Sequence, residues 1–116
     1  MPGSSMNTDG NLVFSQMIFP VLSPVIVAAN TTAEQTFTVP GLNVGDFVNL
    51  VKPTTQAGLG IVNSRVSALN TLAVTFSNNT GGGITPTASE RYQLMIDRMD
   101  GYTVLASSGT LPQAFV

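Results

Sequence analysis

A stretch of alternating side chains bounded by turn residues, EQTFTVPGLNVGDFVNLVKP at positions 34–53, most constrains how this chain can fold. Residues 35–39 place apolar and polar side chains on opposite faces, as a half-buried strand does, and residues 47–51 form a second β-prone run. Between them, Pro40 and Gly41 have the chemistry of a type II turn, and Gly45 favours a second bend. The stretch therefore predicts a β-arch or a β-hairpin.

Further β-prone runs recur along the chain between turn signals. They cover residues 12–19, 25–29, 59–66, 71–76 and 90–97, with an extended piece at Ile84 and a last run at 102–106 after the hairpin signal of Asp100 and Gly101. No stretch keeps the apolar period of an α-helix. The sequence therefore predicts an all-β fold, a single β-sandwich of about eight short strands with jelly-roll or immunoglobulin-like Greek-key topology.

The chain divides into one domain with two short extensions. Residues 12–106 hold the predicted strands, whereas residues 1–11 combine Gly, Ser, Asn and Asp with little to bury and predict a flexible N-terminal arm. Residues 107–116 form a C-terminal tail. Tyr92, at the entry of a late strand, is a candidate tyrosine corner, which would favour the immunoglobulin-like topology, although the missing Cys and Trp argue against it.

The alternation also predicts the core. Residues 72, 74 and 76 share one face of their run, and residues 92, 94 and 96 share one face of theirs. The side chains expected to be buried are Phe37, Leu72, Phe76, Leu94 and Ile96.

Reactive side chains are scarce in this sequence. It has no His and no Cys, so triads and zinc sites built from them are impossible, and Lys52 is the one conceivable base for a hydroxyl nucleophile. Asp97 and Asp100 lack the ligand spacing of a calcium loop, and the glycines at 81–83 lack the lysine of a phosphate-binding loop. We therefore expect no enzymatic activity, no catalytic residues, no metal site and no cofactor.

Charge and hydropathy exclude two classes of partner. A net charge of −2 with only four Lys and Arg leaves no basic stripe for phosphates, so we expect no nucleic-acid partner. No apolar run approaches the roughly 20 residues that span a bilayer, so we expect no membrane partner. A signal peptide places positive charge before its apolar run, and no positive charge precedes the first apolar run here, so we expect no export signal. The absence of Cys fits folding in a reducing cytoplasm.

Charged residues make up only 9% of the chain, which gives sheet edges little protection against pairing. We therefore expect other subunits to cover part of the surface. The candidate contact residues are Met17, Ile18, Phe19, Arg65, Leu111 and Phe115. Arg65, in mid-strand, has two further interpretations, a salt bridge or a solvated outward side chain.

Three segments, AANTTAEQTFTVPGLNVGDFV, AGLGIVNSRVSALNTLAVTF and ITPTASERYQLMI, resemble small β-sandwich virion proteins of tailed bacteriophages, of the capsid decoration or cement type. The resemblance covers about residues 28–96. It implies a structural protein, usually a homotrimer, that binds the major capsid protein on the outside of the virion and is made in the host bacterial cytoplasm.

Two alternatives remain at this point. The first is a head-fibre, tail or baseplate β-module of the same kind of virion. The second is a carbohydrate-binding or adhesin sandwich, which the absence of Trp and the presence of only two Tyr argue against.

Overall fold

The computed structural model describes residues 12–99, and within them the fold is all-β, with no helix. We number the strands in chain order: β1 Leu12–Ile18, β2 Val21–Leu22, β3 Thr31–Thr38, β4 Phe47–Val51, β5 Leu59–Ala68, β6 Thr71–Asn78, β7 Glu90–Arg91 and β8 Gln93–Met99. The predicted arm at 1–11, the Asp100–Gly101 turn, the strand at 102–106 and the tail at 107–116 lie outside the described residues.

The strands form three antiparallel sheets. One has the order β1-β8-β4, a second has the order β3-β6-β5, and β2 pairs with β7. Because β3 and β4 belong to different sheets, the stretch at 34–53 is a β-arch and not a hairpin. Its bends fall at the two predicted glycines, Gly41 and Gly45, whose φ angles of 98° and 100° lie in the region that glycine tolerates best.

One long antiparallel pairing runs through two of these sheets. The β2–β7 ladder keeps the register of the β1–β8 ladder, and the Tyr92 N–H donates to the Pro20 carbonyl at 2.9 Å across the interruption between them. Farther along, Val27 and Ile84 exchange hydrogen bonds of 2.8 and 3.0 Å. Residues 12–27 therefore lie alongside residues 84–99.

This pairing corrects one predicted element and confirms another. The strand predicted at 25–29 is wrong, because only Val27 makes a bridge there and Val25 and Ile26 are exposed. The extended piece predicted at Ile84 is confirmed as the partner of that bridge.

The two three-stranded sheets contribute to one apolar core. The residues of this core that lie on those sheets' strands are Val48, Leu50, Leu72, Val74, Phe76, Leu94 and Ile96. Leu72, Phe76, Leu94 and Ile96 are buried as predicted. Phe37 is only half-buried, because its strand β3 is at the edge of its sheet, where the ring packs against the core without being enclosed.

Tyr92 occupies the point where the long pairing passes from β7 to β8. Its side chain is fully buried, yet its hydroxyl has no hydrogen-bond partner among residues 12–99. Burial, together with the nearby Glu90 carboxylate, raises the pKa of Tyr92 to about 12. The tyrosine-corner interpretation is therefore wrong, because that motif requires the hydroxyl to bind the backbone upstream.

We expect Phe76→Ala to lower the free energy of unfolding by about 3–5 kcal/mol, because the ring is fully buried in the apolar core and its removal leaves a cavity. Urea denaturation measures this change. The control is Phe47→Ala, whose ring is 66% exposed and whose removal should change stability by less than about 1 kcal/mol. Equal effects of the two substitutions would contradict the assigned core.

Candidate interaction surface

The outer face of the β1-β8-β4 sheet is largely apolar although it is open to solvent. Strand alternation directs every second side chain away from the core. Five of the apolar residues on this surface, called the methionine face below, are Met17, Phe47, Val51, Met95 and Met99. Met17 pairs with Met95 across β1 and β8, and Phe47 lies two positions farther along the sheet, opposite Asp97.

The same face also has polar members. Ser15, Asn49, Gln93 and Asp97 share it, and Asp97 is the only one of them with a charge. Adjacent exposed apolar side chains of this kind mark interaction surfaces more often than single exposed residues do. Methionine suits such a surface because its unbranched thioether adapts to the shape of a partner.

The outer face of the β3-β6-β5 sheet has the opposite character. The hydroxyl side chains on it, called the threonine face below, are Thr32, Thr36, Thr38, Thr71, Thr75 and Ser77. The outer faces of the two three-stranded sheets therefore differ in chemistry, and the methionine face offers a partner adjacent apolar side chains.

Arg65 lies on the threonine face and forms the salt bridge that was one of its predicted interpretations. Its guanidinium donates two hydrogen bonds of 2.9 Å to the carboxylate of Glu34. The pair reaches across the central strand β6, in which Ala73 faces Arg65 and is fully buried. Hydrogen bonding from Arg65 lowers the pKa of Glu34, and the same pairing raises the pKa of Arg65.

The other predicted contact residues are divided by strand alternation. Met17 and Phe19 are 44% and 50% exposed, whereas Ile18 points the other way and packs against the core. The structure thus brings Met17 and Phe19 to the surface and Ile18 to the interior. Leu111 and Phe115 lie outside the described residues.

The sequence analysis did not name four members of the methionine face as contact residues: Phe47, Val51, Met95 and Met99. The alternation of β4 and β8 was a usable signal, since it directs all four away from the buried residues Val48, Leu50, Leu94 and Ile96. What the alternation could not show is that β1, β8 and β4 are neighbours, which places the four residues on one surface.

An ion pair on the face of this sheet opposite the methionine face joins the arch to β8. Arg98 donates to the two carboxylate oxygens of Asp46 at 2.9 and 2.8 Å and to the Gly41 carbonyl at 2.7 Å, while its guanidinium lies 4.6 Å from the centre of the Phe14 ring. Hydrogen bonding from Arg98, and then from the Asn43 N–H, lowers the pKa of Asp46. This contact joins the arch, β8 and β1 at one point.

Lys52 is engaged in a second, more buried cluster. Its ammonium lies 3.1 Å from Glu90 Oε1 and donates to the carbonyl and hydroxyl oxygens of Thr54 at 3.0 and 2.9 Å. The Thr54 hydroxyl in turn donates to Glu90 Oε2. Glu90 Oε1 has no hydrogen bond of good geometry, so its attraction to Lys52 is chiefly electrostatic.

Residues 12–99 contain no group of three or more Asp and Glu side chains that could hold a metal ion. A cavity of about 300 Å³ beside Lys52 is lined by Leu50, Leu59, Ile61 and Phe76 together with Thr54 and Thr55. Among the same residues, no helix is long and apolar enough to cross a membrane.

Comparisons with protein-family models, with curated proteins and with solved structures found no match.

We expect Glu90→Gln to lower stability most near neutral pH, because it leaves the buried Lys52 ammonium without its carboxylate. The Thr54 hydroxyl, and then Lys52, lowers the folded-state pKa of Glu90 below 4.5. A lowered pKa means that the ionised carboxylate stabilises the fold above about pH 4.5 and that this contribution is lost as the pH falls through the folded value.

Urea denaturation at a series of pH values tests this expectation. The difference in free energy of unfolding between the wild type and Glu90→Gln should shrink as the pH falls below 4.5. Asp46, whose pKa is also lowered, leaves some acid sensitivity in both proteins. The control Glu34→Gln removes a solvent-exposed pair and should have the smaller effect. A difference that is constant with pH would contradict the role given to Glu90.

Proposed function

We propose that this protein is a structural virion protein that binds the outside of a phage capsid and stabilises it, as a decoration or cement protein. The observation that supports this proposal best is the methionine face, an exposed apolar sheet surface on a small all-β domain. The described residues offer a partner adaptable apolar area and offer no cluster of reactive groups. A role in assembly fits that combination, and so does the resemblance of residues 28–96 to decoration proteins.

We further propose that the two three-stranded sheets pack as one β-sandwich with immunoglobulin-like Greek-key topology. The orders β3-β6-β5 and β8-β4 match two parts of the immunoglobulin arrangement, strands B-E-D of one sheet and C-F of the other. In this comparison β1 takes the position of the last strand, G. The shared apolar core supports the sandwich, and the jelly roll remains the alternative topology.

The proposed partner is the major capsid protein, and the proposed location is the capsid surface, after synthesis in the host cytoplasm. A ligand that binds the assembled shell but not its separated subunits stabilises the shell by RT ln(1 + [L]/Kd) per site. Many weak sites on one particle therefore sum to a large effect. As the resemblance implies, the protein would act as a homo-oligomer.

The exposed aromatic side chains distinguish a carbohydrate-binding role from a role in assembly. Sugar-binding sandwiches use exposed aromatic rings, but in the described residues Tyr92 is buried, and the large exposed aromatic residues are Phe19 and Phe47. A carbohydrate-binding or adhesin role is therefore disfavoured. A head-fibre, tail or baseplate module would use the same apolar face and remains the second candidate function.

We expect Phe47→Lys to weaken binding to capsids, because it replaces the most exposed side chain of the methionine face, 66% exposed, with a charge that a shell protein would have to cover. Co-sedimentation with particles stripped of this protein measures the binding. The control Thr36→Lys adds the same charge to the threonine face and should bind as the wild type does. Equal binding by both variants would refute the methionine face as the contact.

The terminal segments provide a second expectation for the same assay. Removing residues 1–11, or separately residues 107–116, should leave a folded domain that binds capsids less well or no longer forms oligomers. An ordering arm contributes a large contact area at a cost in conformational entropy. Truncated proteins that decorate particles normally would contradict this part of the proposal.

A further inference from the structure

Within residues 12–99 the two three-stranded sheets have four edge strands, and three of the four edges are protected. On β3, the Gln35 side chain accepts from the Val25 N–H and donates to the Val25 carbonyl, both at 2.9 Å, so the 25–26 segment covers part of that edge. On β5, register shifts beside Val62 and Ser67 interrupt the strand. Irregularities and covering segments of this kind prevent edge-to-edge pairing.

The β4 edge is also poorly placed to pair with another strand. This strand has five residues, and its Val48 carbonyl accepts a hydrogen bond of 3.5 Å from the Ser64 hydroxyl of β5. A partner strand would have to displace that contact.

The β1 edge has no such protection in the described part of the chain. Residues 12–22, LVFSQMIFPVL, contain no charged side chain, and the one register shift in β1 lies at its start, between Leu12 and Phe14. Pro20 lies beyond the end of the strand and leaves Phe14 to Ile18 regular. An exposed, uncharged and regular edge strand is a ready site for pairing with another strand.

The register identifies which backbone groups of β1 are free. The Pro20 carbonyl points at Tyr92, and the ladder keeps one register from β1 to β2. Backbone groups alternate in direction along an antiparallel strand, so Gln16 and Ile18 also direct theirs to β8. Ser15 and Met17 therefore direct their N–H and carbonyl groups to the open edge.

We propose that this edge binds a second copy of the same chain, with the two β1 strands antiparallel about a two-fold axis at Gln16. In that register Ser15 lies opposite Met17 of the second copy, and Phe14 lies opposite its Ile18. Each Gln16, whose side chain is exposed, lies opposite its own equivalent. A primary amide both donates and accepts hydrogen bonds, so two glutamines can pair with each other.

The chemistry of the edge favours a second copy over other partners. A contact between identical surfaces must be self-complementary, and here Phe14 meets Ile18 and an amide meets an amide, while the small hydroxyl of Ser15 lies beside Met17. Within one chain Asp97 lies opposite Ser15. In the dimer Ser15 lies opposite Met17 of the second copy, so the two Asp97 carboxylates do not face each other. No like charges are brought together, and the methionine faces of both copies become one continuous surface.

This inference does not depend on the capsid, because Gln16 lies outside the methionine face. The full chain should have the mass of two copies by size exclusion with light scattering. We expect Gln16→Glu and Gln16→Lys each to weaken the dimer by at least about tenfold in Kd, because each places like charges opposite one another. An equimolar mixture of the two variants should restore a dimer, since glutamate then lies opposite lysine.

The matched controls are Gln93→Glu and Gln93→Lys, which change an exposed glutamine on the central strand β8 of the same sheet. They should leave the dimer intact. Thermal unfolding of each variant confirms that it is folded, so loss of the dimer is not loss of the domain.

Three results would overturn the proposal: a wild-type monomer at high concentration, a trimer, or a dimer that charge at Gln16 does not affect. If the full chain is a monomer but a chain ending at Met99 dimerises, then the protein's own C-terminal residues occupy the edge, and the second copy is rejected as its partner. Capsid binding by monomeric Gln16 variants would leave the proposed function standing without this dimer.

Discussion

Strand β8 is hydrogen-bonded on both edges, and most of the described structure depends on that position. Its inward side chains Leu94 and Ile96 are buried in the apolar core, and its outward side chains help to form the methionine face. Arg98 attaches the arch to it through Asp46. Because β1 and β4 each pair with β8, the first strand, the second strand of the arch and the last described strand are held in one sheet although they are distant in sequence.

Two ion pairs differ in what they contribute. The Arg65–Glu34 pair is largely open to solvent, where water and salt screen the attraction. The Lys52–Glu90 pair is nearly enclosed, so losing one partner would leave a charge in a medium that solvates it poorly. The second pair joins the end of β4 to β7 and therefore fixes the place where the long pairing of residues 12–27 with 84–99 bends out of the sheet.

The contrast between the two outer faces bears most directly on function. Both faces follow from the same alternation, but one carries threonines crossed by a salt bridge and the other carries methionines, a phenylalanine and a valine. Exposed apolar area in water is unfavourable unless a partner covers it. The open β1 edge adjoins the apolar face and not the polar one. Pairing of two copies through β1 would thus enlarge the surface proposed to meet a shell.

The sequence by itself determined most of the longer strands, the turns at Gly41 and Gly45, and most of the core, because alternation and turn chemistry are local properties of the chain. It did not determine which strands are neighbours. Backbone hydrogen bonds between strands are alike for all residues, so pairing is chosen by how side chains from distant segments pack together. Only the tertiary structure therefore decided that the segment at 34–53 is an arch, that Arg65 binds Glu34, that Phe37 is half-buried, and that Met17, Phe47 and Met95 lie on one face.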